Sequence, residues 1–184
     1  MFEIKSKNQS AVISSNFSQL MVNLNWTTPV DFDLFAVYES KQGRLGIVYY
    51  GDMGDLNRFP SMQLSGDEGV GDTGGDNQES LIISSLAEMN YVWVCAWDYN
   101  AVTQSRKGRF DDCDLHMTVI DDKGDYKIPL VDQRQGNTAL VLTIDNTSPV
   151  LSKLINSSEV TTLSGLNPAE LMSFLKSTLN SVGV

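Results

Sequence analysis

Apolar and polar residues alternate along several short segments of the chain. In residues 17–26 the apolar positions of one parity are held by Leu20, Val22, Leu24 and Trp26. A repeat of two is that of a β-strand with one buried face, because successive side chains of a strand point to opposite sides of the sheet. This segment is therefore predicted to be a half-buried strand.

Seven further segments have the composition of strands. They are residues 34–38, 45–50, 81–83, 91–97, 115–120, 126–130 and 139–144. Residues 91–97 are almost continuously apolar, which is typical of a strand covered on both faces. Because about eight short strands follow one another with no helical pattern between them, the sequence predicts an all-β fold, an antiparallel β-sandwich.

The pattern changes to a helical one near the end of the chain. Asn167 suits an N-cap, Pro168 the first helical position and Glu170 the third. Four apolar residues follow at helical spacing, namely Leu171, Phe174, Leu175 and Leu179. We predict a short amphipathic helix near residues 167–181, within a C-terminal extension (151–184) that follows the sandwich (1–150). Because such a helix is marginal alone, it must pack on its own sandwich or on another protein.

The net charge of the chain indicates which kinds of partner it can bind. The chain of 184 residues has 13 basic and 23 acidic residues, a net charge of −10. An acidic surface repels nucleic-acid phosphates and suits hard cations, so we expect no nucleic-acid partner. The chain shows no secretory signal and no apolar run long enough to span a membrane, and we expect a cytoplasmic protein with both cysteines reduced.

The acidic residues are concentrated in one part of the chain. Residues 31–79 contain ten acidic and three basic residues, a net charge of −7, and five glycines fall between Gly66 and Gly75. Calcium takes six to eight oxygen ligands from carboxylates and backbone carbonyls, and glycine allows the chain to wrap tightly around the ion. The sequence favours a cation site here over a merely solvated acidic loop, which remains the alternative.

The candidate ligands come from this part of the chain. They are Asp31, Asp33, Asp67, Glu68, Asp72, Gly74, Asp76, Asn77 and Glu79. Spacing of i, i+2 at the start of a strand directs Asp31 and Asp33 to one face. A phosphate-binding loop would need a lysine and a following helix, and zinc would prefer histidine and cysteine. The only histidine, His116, lies in a predicted strand.

Four segments in order resemble the TerD domain of bacterial tellurium-resistance proteins. They read VNLNW at 22–26, DFDL at 31–34, VYY at 48–50, and SGD at 65–67 followed by the Gly/Asp run to Glu79. Asp31 and Asp33 match the family's DLD pair, Asp67 matches the start of its loop motif, and Asp76 and Glu79 match the acidic end. Glu68 and Val70 depart from the family pattern.

The resemblance implies a β-sandwich that binds Ca²⁺ in this region. It also implies a tellurium-resistance or stress-response role without catalysis. The expected partners are Ca²⁺, other stress-response proteins, a membrane-bound partner and further copies of the chain. Two alternatives remain open. One is a calcium-dependent sandwich that binds phospholipid or a small ligand. The other is a hydrolase using paired carboxylates, such as Asp31 with Asp33 or those among Asp111, Asp112 and Asp114.

Overall fold

A computed structural model of the chain describes residues 1–66 and 75–181. The described strands are β1 (Phe2–Glu3), β2 (Ser10–Ser14), β3 (Leu20–Trp26), β4 (Phe32–Ser40), β5 (Leu45–Val48), β6 (Gly54–Asp55), β7 (Met62–Leu64), β8 (Asn77–Ile83), β9 (Met89–Asp98), β10 (His116–Asp121), β11 (Gly124–Pro129), β12 (Thr138–Asp145) and β13 (Leu151–Thr161). The described helices are α1 (Tyr99–Thr103) and α2 (Pro168–Ser181), and one 3₁₀ turn spans Phe110–Asp112.

The strands form two sheets. The first sheet has the order β1-β11-β10-β3-β8-β7-β6, and the second has the order β2-β13-β12-β9-β4-β5. Neighbouring described strands run antiparallel, apart from the short parallel pair of β1 and β11. The main core lies between the sheets and contains side chains of both. The predicted all-β antiparallel sandwich is therefore confirmed.

The central strands of the second sheet are buried on both faces. In β9, Val92 and Val94 point into the core between the sheets, whereas Trp93, Cys95 and Trp97 join a second cluster on the outer face. The continuous apolar run of residues 91–97 is explained by this arrangement, because neither parity of the strand meets water. Such a strand needs a cover for its outer face.

Helix α2 supplies that cover. Leu171 and Leu175 pack into the outer cluster with Trp93, Trp97 and other apolar side chains of the second sheet. The N-cap was predicted correctly, because the side-chain oxygen of Asn167 accepts hydrogen bonds from the first-turn amides at 3.1 and 3.2 Å. The helix thus packs on its own sandwich rather than standing free.

Strands β1 and β2 were not predicted, and three further features differ from the sequence-based expectations. Residues 51–77 were expected to hold no strand, yet β6 and β7 lie there. They were not predicted because strands of two and three residues are too short to show a hydrophobic period. Helix α1 follows β9 directly, where no helix was predicted; Asp98 caps it by accepting a hydrogen bond from Ala101 N at 3.1 Å.

The third feature is β13, which lies between β12 and β2 although its residues fall beyond the predicted boundary at 150. Its segment shows no apolar alternation because several buried positions carry polar side chains. These are Ser152, Asn156, Ser157 and Ser158. Neither α1 nor α2, the helices that the structure describes, is long and apolar enough to cross a membrane.

Candidate cation site

The Gly/Asp segment connects two paired strands of the first sheet. Strand β7 enters it and β8 leaves it, with Leu64 opposite Leu81. Its described ends are held by backbone hydrogen bonds from Ser65 N to Ser80 O at 2.9 Å and from Gly75 N to Thr27 O at 3.3 Å. The two described ends of the segment are therefore anchored on the sandwich.

Asp31 and Asp33 lie at the start of β4, in the opposite sheet. The backbone carbonyl of Asp31 accepts a hydrogen bond from Tyr99 N at 3.0 Å, which ties the approach to β4 to the start of α1. Asp33 lies opposite Trp97 in the pairing of β4 with β9. Both carboxylates are partly exposed, so they can meet solvent and an ion.

Glu79 joins the two sheets at the same place. It is 6% exposed, and its Oε2 accepts a hydrogen bond from Leu34 N at 2.6 Å. Strand β5 ends at Val48, opposite Ala36, so none of the described strands lies beside β4 on that side at Leu34. The carboxylate of Glu79 takes the place of the missing strand, because a buried backbone N–H must find an acceptor.

These three acidic residues line one cavity of about 220 Å³. Gly66, at the described end of the Gly/Asp segment, lines it too, and so do the rings of Tyr50 and Tyr99. The ring centroids are 5.8 Å apart. Partial burial raises the pKa of the Tyr50 hydroxyl, and Tyr99 and the negative charge of Asp33 add to the rise.

The two tyrosines were not predicted as part of this site. Tyr50 follows the end of β5, and Tyr99 follows the end of β9, so their rings meet only because β4 pairs with both strands. The sequence carries no local signal for this contact, since the pairing of distant strands creates it.

The remaining candidate ligands fall into two groups. Asp67, Glu68, Asp72 and Gly74 lie outside the described residues. Asp76 is exposed, and Asn77 is buried with its side-chain amide donating to Gly75 O at 3.1 Å; neither is among the described residues that line the cavity. Within residues 1–66 and 75–181, no three or more His, Cys, Asp or Glu side chains form a group that could hold a metal ion.

Asp114, which belongs to the second set of candidate carboxylates, forms hydrogen bonds with the loop after β3. Asp114 accepts hydrogen bonds from the backbone and hydroxyl of Thr27 at 2.9 and 2.7 Å, and from the hydroxyl of Thr28 at 3.0 Å. Burial raises the pKa of this carboxyl, but the hydrogen bonds from Thr27 and Thr28 outweigh it and bring the pKa to about 2. The group is therefore ionised at neutral pH.

The tryptophans, histidine and cysteines lie apart from the cavity. Trp26, Trp93 and Trp97 are at most 3% exposed, as expected for core residues. His116 lies in β10, with Nδ1 3.2 Å from Asp114 O. Both cysteines are free thiols, and burial raises the pKa of each, to about 11 for Cys113.

A comparison with models of known protein families gives no match for this chain, and neither does a comparison with curated proteins.

Proposed function

We propose that the chain is a calcium-binding sandwich module of the TerD type, which acts through contacts with other proteins and not as an enzyme. The observation that carries the proposal is the cavity of about 220 Å³ shared by Asp31, Asp33 and Glu79. Acidic residues of two sheets line it beside Gly66, where the Gly/Asp segment begins, although the three do not by themselves form a metal-binding group. Hard cations are bound by such oxygen-rich sites.

The charge and burial of these residues favour a cation over plain solvation. Residues 31–79 carry a net charge of −7, and the almost fully buried Glu79 carboxylate is fixed at the cavity by its hydrogen bond from Leu34 N. Because Asp31, Asp33 and Glu79 do not form a metal-binding group by themselves, the proposed ion would need oxygens of the Gly/Asp segment in addition to carboxylates of this cavity. By neutralising this acidic part of the chain it would create a surface for a protein partner, for which other stress-response proteins are the expectation.

Two observations count against the alternatives. In the hydrolase alternative, the pKa of Asp114 is lowered to about 2, which does not suit this carboxyl as a general acid. A lipid-binding sandwich would gain from exposed tryptophans at the membrane surface, whereas Trp26, Trp93 and Trp97 are buried in the core. Calcium-dependent binding of phospholipid is therefore tested only as a second outcome, by pelleting with vesicles that contain phosphatidylserine.

The test is a calorimetric titration of Ca²⁺ into metal-stripped protein. We compare the wild type with a double variant, Asp31→Asn and Asp33→Asn, which keeps the side-chain size but removes two charges. We expect saturable binding by the wild type and binding weaker by about tenfold or more in the variant, since charged carboxylates dominate calcium affinity.

The matched control is Asp52→Asn. This carboxylate belongs to the same acidic part of the chain, is exposed and is not among the lining residues, so its loss changes the net charge without changing the cavity. If the control weakens binding as much as the double variant does, the ion responds to overall charge alone. If the wild type binds no Ca²⁺ at millimolar concentration, the acidic segment is a solvated surface.

A further inference from the structure

Strand β5 forms an open edge of the second sheet. Among the described strands it pairs with β4 alone. Bonded and non-bonded pairs alternate along an antiparallel ladder. The bond from Ser40 N to Arg44 O therefore implies that Leu45 and Ile47 direct their N–H and C=O groups away from β4. No described residue hydrogen-bonds to the backbone of either residue outside the sheet ladder, so these groups are available to another strand.

Strand β5 is short, but it lacks two of the usual protections against pairing with another chain, namely charged residues and proline within the strand. Natural edge strands are commonly guarded by charged side chains, by proline or by a covering loop. The four residues of β5 are Leu-Gly-Ile-Val, without charge or proline, and Leu45 is 46% exposed. An edge strand without charge or proline and with an exposed apolar side chain can accept an added strand.

An apolar cavity of about 310 Å³ adjoins the edge. Its lining includes Leu45, Ile47 and Tyr49, which alternate along β5 and the residue after it. The start of α2 closes the other side with Leu166 and Met172. Helix α2 thus covers the middle of the outer face but leaves a gap above β5. The volume lies at the small end of the range for ligand pockets and suits an apolar side chain.

Charge distinguishes the two ends of β5. Lys41 and Arg44 lie in and after the turn that precedes the strand, both are exposed, and neither forms an ion pair with a described residue. This is a local positive charge in a chain of net charge −10. At the other end, beyond Tyr49, lies the exposed Asp52. A partner that is acidic at one end would complement Lys41 and Arg44.

We propose that β5 and the adjoining cavity are a docking site for an extended segment of a partner polypeptide. The segment adds to the second sheet as a seventh strand and bonds to the outward backbone groups of Leu45 and Ile47. It inserts an apolar side chain between β5 and α2 and places an acidic side chain beside Lys41 and Arg44. Backbone bonds provide affinity in this mode of binding, and the cavity and charges provide specificity. The inference does not depend on the proposed cation.

The probe is a phage-displayed library of random linear eight-residue peptides, selected on the complete chain. Enriched peptides are then synthesised and titrated against the wild type and two variants, Leu45→Lys and Leu151→Lys. These leucines lie on strands of the same sheet and are 46% and 47% exposed, so the two variants are matched in chemistry. Circular dichroism checks that both variants are folded.

We expect enriched peptides to combine an acidic residue with a bulky apolar residue. We expect Leu45→Lys to weaken their binding by about tenfold or more, because the cavity loses its apolar contact. Leu151→Lys should change affinity by less than about twofold, since this position lies at the other end of the sheet. Peptides N-methylated at alternate residues should bind more weakly only in the register whose amides face β5.

Four results would overturn the proposal. One is that no peptide is enriched, and another is that Leu45→Lys binds the peptides as tightly as the wild type does. Insensitivity to N-methylation in both registers would show that the cavity takes a free apolar molecule and not a strand. A dimer in analytical ultracentrifugation that dissociates in Leu45→Lys would show that the occupant is a second copy of the chain.

Discussion

Single buried polar residues hold this sandwich together at points where strands end. Asn156 is fully buried, and its amide donates to Ile4 O at 2.9 Å and Pro129 O at 3.1 Å, while its side-chain oxygen accepts from Ser158 N at 3.2 Å. Asn146 bonds in the same way to Leu86 O and Met89 O. A buried backbone group without a partner lowers the free energy of unfolding by about 1–3 kcal/mol. The side chain of Asn156 satisfies three such groups, so it stabilises the fold although it is itself polar and buried.

Asp114 makes a similar connection at the surface, and it leads to a prediction about pH. Its pKa of about 2 is below the value expected in the unfolded chain, so folding is favoured at pH values above the unfolded pKa. This stabilisation is lost as pH falls through the folded pKa. Because the residue is exposed, we expect Asp114→Asn to lower the free energy of unfolding at pH 7 by only about 1 kcal/mol.

The measurement is urea unfolding of wild type and variant at pH 7 and at about pH 2.5. The difference between them should shrink at the lower pH, where the wild-type carboxyl is partly protonated. Asp112→Asn serves as the control, since its side chain is 89% exposed and forms one loose ion pair with Arg109 at 3.9 Å. If the difference in free energy of unfolding between the wild type and Asp114→Asn stays constant with pH, the lowered pKa of Asp114 is not the source of the stabilisation.

At the scale of elements, α2 and β13 depend on the sheet that they meet. Helix α2 has only fourteen residues and would be marginal alone, so its stability comes from packing on the outer face of the second sheet. Strand β13 has buried polar side chains, which are satisfied by neighbours such as the Thr143 hydroxyl, 2.6 Å from the Ser157 hydroxyl. Both elements are held by contacts between residues distant in sequence.

The packing of α2 can be tested at Leu175, which is fully buried in the outer cluster. We expect Leu175→Ala to lower the free energy of unfolding by about 2–4 kcal/mol through lost burial and the cavity left behind. Lys176→Ala, one position along the same helix, should lower the free energy of unfolding by less than about 1 kcal/mol, because Lys176 is exposed and its ion pair with the partly exposed Glu39 is 3.8 Å long.

Urea unfolding gives both values, and thiol labelling gives a second readout. Cys95 lies under α2 in the outer cluster. It should react faster with a thiol reagent in Leu175→Ala than in the wild type, with Cys113→Ala introduced in both proteins. Equal labelling rates, or equal costs of the two substitutions, would mean that the helix does not depend on this contact.

At the scale of the whole molecule, charge is distributed unevenly. Residues 31–79 carry −7 of the net charge of −10, within a fold whose two sheets bring Asp31, Asp33 and Glu79 to one cavity. Like charges held close together oppose folding unless salt or a bound cation screens them. The stability of the protein should therefore depend on both.

We expect the melting temperature of the metal-free protein to rise by several degrees between about 0.02 and about 0.5 M NaCl. With saturating Ca²⁺ the melting temperature should start higher, because a ligand of the folded state stabilises it, and the rise with NaCl should be smaller. Differential scanning calorimetry measures both series, with Asp31→Asn, Asp33→Asn as the comparison. If Ca²⁺ leaves the rise of the melting temperature with NaCl unchanged, the ion does not act by screening the acidic residues Asp31, Asp33 and Glu79.

The sequence by itself determined the elements that have a local signal. Strands such as β3 and β9 and the helix α2 were predicted within a few residues, because alternation, continuous apolar runs and the Asn167 cap depend only on near neighbours. The sandwich class followed from their order. The concentration of Asp and Gly in residues 31–79 also marked the candidate site, since charge and backbone freedom are properties of residue type.

The tertiary structure alone decided how distant residues meet. Strand β13 could not be predicted because its buried side chains are polar, and their partners lie on other strands. The bond from Leu34 N to Glu79 exists because β5 ends before it reaches that part of β4. The open edge of β5 and its cavity depend on where α2 crosses the sheet. Each of these is set by the neighbours that folding brings together, which no local pattern of residues encodes.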